Sequence, residues 1–302
     1  MNPNFKIPIT KYSLVMECDA DVYISGFLGT TLHGVLGHAI KAAECPQYNK
    51  ELPGKCAACT CKYSFLFEPG PSDDPRANKE YKDPIRPYYI RCPFNRSSVK
   101  LLKGEEVTWE LFVIGNSKPD LAGIVNIAKK AGELGLGENR IPFTVQSIIS
   151  DLCPVIIDSD QELKSRYRVT IHLNSPLDFN NHNISQNTFT FRQFINSILF
   201  KLRGLDLFYG SRIWKPRQEI NVFTEEAETV HSKSIRLENK RIAPTNKRSE
   251  NVKYRGWIGE ITFEAVPEIY LPYLAAGQQV NIGGLGTHGF GWYSVKNIIK
   301  MR

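Results

Sequence analysis

His33, His38 and Lys41 fall close together in one stretch, Thr30 to Glu44, and His288 stands inside a run of glycines towards the C-terminus. Imidazole titrates near neutral pH, so it can take and give a proton there. The run around His288, Gly283-Gly284-Leu285-Gly286-Thr287-His288-Gly289-Phe290-Gly291-Trp292-Tyr293, holds five glycines. Glycine costs backbone entropy in helices and strands and packs nothing, but it lets backbone N–H groups come close to a phosphate. Phe290 or Trp292 can anchor such a loop or offer a face to a base. Gly284, Gly286, Gly289 and Gly291 are therefore candidates for facing a polyanion. A dinucleotide fingerprint would follow a first strand and open a long helix. Here the run leads instead into Tyr293 to Ile299, which alternates as a strand does.

Cys45, Cys56, Cys59 and Cys61 form a Cys-x10-Cys-x2-Cys-x-Cys array. The opening residues, Met1 to Pro8, lack the apolar stretch of an export signal, so a cytoplasmic chain with reduced thiols is expected. Four such thiols fit a structural tetrahedral zinc site, with free or redox-active thiols as the alternative and Cys92 as a substitute ligand. Four thiolates leave no open coordination position, so this site would hold structure rather than do chemistry.

The chain of 302 residues carries a formal charge of +7, with 42% apolar and 23% charged residues, the balance of an ordinary globular protein. No apolar run reaches membrane-spanning length. The positive charge is concentrated. Between His231 and Trp257, Lys233, Arg236, Lys240, Arg241, Lys247, Arg248, Lys253 and Arg255 face only Glu238 and Glu250. That segment suits a phosphate backbone, and a solvated basic loop is the plainer reading.

Positioning these groups falls to a repeated grammar. Ile9 to Cys18 alternates as a strand, and Thr30 to Glu44 reads as a helix capped at Thr30 or Thr31, with Gly34 and Gly37 on its outer face. Two outward glycines imply close approach of another backbone. Glu68 to Pro93 is proline-rich and reads as a surface excursion. Glu106 to Ile114 is a strand, Asp120 to Leu134 a helix, and Gly135-Leu136-Gly137 leads towards a strand from Thr144. The second half repeats this: a strand from Tyr167, a helix from Thr190 to Phe208, a strand from Gly259, a short helix from Ile269 to Ala276, then Gly284-Leu285-Gly286 before the last strand. His172 falls in a strand, and His182 and His231 in polar loops. An internal duplication follows, as two tandem ferredoxin-like (RRM-like) βαββαβ domains of α+β class. Residues 1–150 form the first, with a cysteine-rich insertion at 45–93; residues 151–166 link it to the second, 167–302.

Two such halves with a glycine-rich loop before the last strand resemble the repeat-associated RNA-binding (RAMP) superfamily, and more narrowly the CRISPR-associated endoribonucleases that process precursor CRISPR RNA. Gly26 to Lys41, the cysteine cluster running into Pro69, Lys247 to Phe263 and the terminal glycine loop carry the resemblance. It implies metal-independent cleavage of repeat RNA, with the ribose 2′-hydroxyl attacking the adjacent phosphate to leave a 2′,3′-cyclic phosphate and a 5′-hydroxyl. The same resemblance points to His38 first and His33 second for proton transfer, with Lys41 beyond them to stabilise the phosphorane. His288 departs from the family's glycine and basic loop, and its imidazole makes it a further candidate for proton transfer or phosphate contact. Lys247, Arg248, Lys253, Arg255 and the glycine loop would bind RNA. The expected partners are precursor and mature CRISPR RNA and subunits of a CRISPR effector complex, around a monomer or homodimer. Two alternatives remain open, a non-catalytic RNA-binding subunit of the same fold and a zinc-dependent protein-interaction scaffold.

Overall fold

The computed structural model describes residues 5–45, 61–94, 98–115, 120–157, 165–179, 189–213, 221, 223–242 and 254–301. In chain order the elements are β1 (Phe5–Ile7), β2 (Ile9–Cys18), β3 (Val22–Ser25), α1 (Leu28–Glu44), α2 (Lys62–Phe67), α3 (Pro75–Glu80), β4 (Tyr88–Arg91), β5 (Ser98–Leu101) and β6 (Glu106–Ile114). They continue with α4 (Leu121–Leu134), β7 (Phe143–Leu152), β8 (Val155–Ile157), β9 (Arg166–Leu177), α5 (Phe191–Tyr209), β10 (His231–Ile242), β11 (Tyr254–Pro267), α6 (Leu271–Gln278) and β12 (Tyr293–Lys300).

Two four-stranded sheets carry the chain, ordered β4-β6-β2-β7 and β10-β11-β9-β12, and every pairing in them is antiparallel. Each sheet places its half's strands in the order second, third, first, fourth, which is what a duplicated unit requires. The alternation in β2 buries Tyr12, Leu14, Met16 and Cys18, and it leaves Lys11 on the open face between Glu110 and Asp151 at 3.7 and 3.3 Å. Helix α5 turns Phe191, Phe194, Ile195, Ile198, Leu199, Leu202 and Leu205 inward, all fully buried. Its start is fixed by a capping box, Thr190 and Gln193 each bonding the other's backbone. The cores of the two halves interlock: Ile242 and Phe290 sit in the first, and Tyr89 and Phe112 in the second.

Several local expectations change. Helix α1 begins at Leu28 with Phe27 as N-cap, so Thr30 and Thr31 lie inside its first turn rather than capping it. Gly37 does not face outward; it is buried, and a Cβ there would meet Phe67 at 2.8 Å, so α2 is the neighbour that its missing side chain admits. The proline-rich stretch runs over the surface for much of 70–86 but does not stay there. It contains β4, whose Tyr88, Tyr89 and Ile90 are buried as the second strand of the first sheet. His231 opens β10 rather than lying in a loop. Within the expected linker, β8 pairs with β1.

Candidate functional site

Helix α1 presents His33 on the side that meets β4 and the terminal glycine loop. Its Nδ1 lies 2.8 Å from the Tyr88 hydroxyl. From the loop, His288 brings its ring to 3.8 Å between centroids, inclined by 31°. Burial, then the neighbouring His288 and the Arg86 guanidinium, push the His33 pKa down to about 3, against a hydrogen bond to the Thr287 backbone that raises it. His288 is pushed down to about 4, first by burial and then by Arg86. The Nδ1 of His288 is buried without a hydrogen-bond partner. Both rings are thus neutral at pH 7 in the free protein, and one of them keeps an unused ring nitrogen.

The chain path explains why the loop lies here. Residues 286–288 form one 3-10 turn between Leu285 and Gly289, both in the left-handed region at φ 57 and 86. Gly29 lets the turn approach α1: a Cβ there would sit 2.4 Å from the His288 carbonyl oxygen. At the base of the loop Asn281 is fully buried, and its amide donates to the carbonyls of Ile90 and Gly286 at 3.1 and 3.2 Å. Arg91 donates to the Asn281 amide oxygen at 3.2 Å and to the Gln278 carbonyl at 2.7 Å, with its guanidinium 5.1 Å from the Trp292 ring. Phe290 anchors the far side, its ring 5.8 Å from that of Phe27. Asn281 and Arg91 position the site, yet sequence reasoning passed over both. A fully buried asparagine has no periodic signature, and Arg91 lies in the stretch read as surface.

Of the four proton-transfer and charge candidates, the fold brings His33 and His288 together and leaves the other two apart. His38 is exposed and lines a separate cavity of about 680 Å³ between α1 and the turn at 134–141, beside Thr30, Thr31 and Gly34. Lys41 holds its amine 5.1 Å over the Tyr63 ring. The glycines divide in the same way. Gly291 is dictated by the chain path, since a Cβ would lie 1.8 Å from the Ile282 carbonyl oxygen at φ +78. Gly289 packs on Phe27, whereas Gly284 and Gly286 line a cavity of about 760 Å³ next to His288.

Lys247, Arg248 and Lys253 lie outside the described residues. Arg255 is exposed on β11 directly across from Arg241 on β10, a like-charge pair that favours an anion between or beside the two. Its neighbour Tyr254 places its ring 5.7 Å from that of His288, so the basic hairpin rises beside the histidines.

Among the cysteines, Cys56 and Cys59 lie outside the described residues. Cys45 ends α1 and Cys61 caps α2, and Lys62 bridges to Glu44 at 3.4 Å where the two helices meet. Cys92 is buried in the core of the first half, and that burial pushes its thiol up to about 12. Among the described residues there is no group of three or more histidine, cysteine or acidic side chains placed to hold a metal.

Two family models meet along the chain: the N-terminal domain model AF_1859_N matches residues 7–183, and the model of CRISPR-associated endoribonuclease Cas6 matches residues 171–293. The fold is similar to that of a Cas6 (TTHB231) product complex, with TM-score 0.55 at 14% identity over 95% of this chain and 99% of that one. It is similar to Thermus thermophilus Cas6 (TTHB231), with TM-score 0.52 at 13% identity over 96% and 98%. A partial Cas6-RT-Cas1–Cas2 complex matches with TM-score 0.54 at 13% identity, over 98% of this chain and 47% of that one. No curated protein sequence matches.

Proposed function

We propose that the chain is a CRISPR-associated endoribonuclease of the Cas6 family, whose model matches residues 171–293, and that it cuts CRISPR repeat RNA at the seam between its two halves. The reaction is attack of a ribose 2′-hydroxyl on the adjacent phosphate, leaving a 2′,3′-cyclic phosphate and a 5′-hydroxyl and releasing mature CRISPR RNA. The observation that carries the site is the His33–His288 pair, contributed by opposite halves.

His288, which lines the cavity beside the seam, transfers the proton: an imidazole takes it from the 2′-oxygen as that oxygen bonds to phosphorus, and an imidazolium returns one to the departing 5′-oxygen. His33, held by Tyr88 and Thr287, orients it. A phosphate entering the seam raises both imidazole pKa values, because an opposite charge favours the protonated form. Arg86 lies close enough to depress both rings in the free protein, and it neutralises charge developing on the phosphorane. Lys41 stays outside this reading. Gly284, half-buried at the mouth of the cavity beside His288, Arg255 and the segment carrying Lys247, Arg248 and Lys253 take the RNA backbone.

A second reading puts the chemistry at His38, which is open to solvent beside two threonine hydroxyls that have no partner. The same RNA assay separates the two.

The shared strand order supports tandem ferredoxin-like units at 1–150 and 167–302, the first interrupted by the cysteine-rich insertion at 45–93. Cys45 and Cys61 flank the segment that holds Cys56 and Cys59, which supports a structural zinc there. Likeness to a relative solved with RT, Cas1 and Cas2 supports docking to further CRISPR subunits, as a monomer or homodimer. No helix among the described residues is long and apolar enough to cross a membrane, in keeping with cytoplasmic work on RNA.

The test is incubation with repeat RNA in excess EDTA. Sharp cleavage that disappears with a 2′-deoxy nucleotide at the scissile position is the expected result; binding without cleavage would overturn the enzyme and leave an RNA-binding subunit.

A further inference from the structure

The second cavity, about 760 Å³, opens between α5, the segment 80–86 and the loop residues 283–288. Lys201 of α5 lines it and makes no hydrogen bond or ion pair with any described residue. Its amine sits 3.8 Å from where a Cβ on Gly286 would stand, so it lies against the turn that carries His288. Burial alone lowers its pKa to about 8. A half-buried ammonium with no counter-ion is costly, and an anion arriving from outside repays that cost.

The charges around it leave room for such an anion. Segment 80–86 contributes Glu80, Lys82, Asp83 and Arg86, and the loop contributes His288. Glu80 is taken by the buried Arg203, so among the described lining residues Asp83 alone opposes Lys82, Arg86 and Lys201. A surface for a base lies alongside: Phe200 is 52% exposed, and its ring is backed by Tyr81 at 4.6 Å.

The first half offers an internal parallel. His38 in α1 and Lys201 in α5 are each the eleventh residue of their helix, and each lines the cavity between that helix and its half's glycine turn. The duplication thus supplies two equivalent cavities, and only the one at Lys201 adjoins the histidine pair.

We propose that the Lys201 cavity is a nucleotide subsite for the RNA strand beside the cut, with the lysine amine on a phosphodiester and the Phe200 ring under a base. The subsite rests on the nuclease reading, and it assigns to this chain a contact outside the basic hairpin.

The probe is a repeat RNA with a 2′-deoxy nucleotide at the scissile position, bound to the full chain across a series of KCl concentrations and pH values. Lys201→Gln weakens binding about tenfold and flattens the log–log salt slope by about 0.7, one lost single-strand phosphate contact. Lys201→Arg restores both. Wild-type affinity falls by up to about tenfold per pH unit above pH 8, as the free amine loses its proton while the bound one keeps it; neither variant shows that fall. Phe200→Ala, at an exposed ring, weakens binding at least fivefold with the salt slope unchanged. Lys201→Gln binding with wild-type affinity and slope overturns the subsite, and so does weakened binding with the wild-type slope and pH profile. Ordinary repeat RNA run in parallel with wild-type protein separates the two readings: cleavage there leaves the nuclease standing whatever Lys201 does, and neither binding nor cleavage overturns both.

Discussion

His33 and His288 face each other at 3.8 Å between ring centroids, one from the first long helix of the chain and the other from its last loop. Neither half can build this contact alone. The carbonyl of His288 rests on Gly29 while Asn281 ties the loop base to β4, so the pair reports directly on how the halves dock.

Substituting the histidines one at a time assigns their roles. His288→Ala should lower the single-turnover cleavage rate by about 10²–10⁴ with RNA affinity within a few-fold of wild type, the usual weight of a general acid–base. His33→Ala should lower both rate and melting temperature, because its hydrogen bonds to Tyr88 and Thr287 go with it. His38→Ala should cleave normally; a rate loss confined to it would move the chemistry to the other cavity.

Acid should weaken the fold before carboxylates titrate. The folded-state pKa values, about 3 for His33 and about 4 for His288, lie below the ordinary 6.5, so the unfolded chain binds protons that the folded one refuses. Stability from this source is complete above pH 6.5 and declines as pH falls towards 4. Each ring adds a slope of up to about 1.4 kcal/mol per pH unit in that window. Denaturant melts at pH 6.5 and 5.0 should differ more for wild type than for His288→Gln; equal differences would show that His288 is not held neutral.

Gly29→Ala tests the docking of the loop without touching a reacting group. The new Cβ would press on the His288 carbonyl and on the Phe27 ring, at 2.4 and 2.9 Å. A shift of about 1 Å in a reacting group costs about 10²-fold in rate, and overpacking costs about 1–3 kcal/mol in stability. Cleavage kinetics and thermal melts read the two effects.

Gly34→Ala is the converse. Nothing lies within 4 Å of its Cβ position, so the helix gains about 0.5–1 kcal/mol from the substitution. RNA affinity measured on the same variant should stay at the wild-type value if the substrate lies at the histidine seam. A drop would place an RNA backbone against α1 beside His38.

The cysteine array is open to metal analysis. Elemental analysis of purified chain should find about one zinc per molecule, as a four-thiolate structural site implies. Cys45→Ser, at the end of α1, should lose it together with some melting temperature. Cys92→Ser should retain it, because that thiol packs within the apolar core of the first half. No zinc in either the wild type or the variant would leave free thiols as the reading.

Local pattern carried much of the architecture. The alternation of Ile9 to Cys18 and Glu106 to Ile114, and the helical spacing in α4 and α5, were legible because each segment buries one face at its own period. Strand β4 was hidden: four residues between prolines give no period, and three of them are buried by tertiary contacts. Helix α1 started two residues before its threonines because packing of Phe27 and Leu28 in the core, rather than a side-chain cap, fixes its first turn.

The amino-acid sequence by itself determined the duplicated sheet-and-helix plan, the concentration of positive charge in one segment and the presence of titratable imidazoles near both ends. Those depend on periodicity and composition, which act over short spans of chain. Only the tertiary structure decided which histidines meet, that Gly29 and Asn281 seat the loop, and that Lys201 faces a cavity with no counter-ion among the described residues. These are contacts between segments far apart in the chain, set by how two interlocked cores close on each other, and no local pattern encodes them.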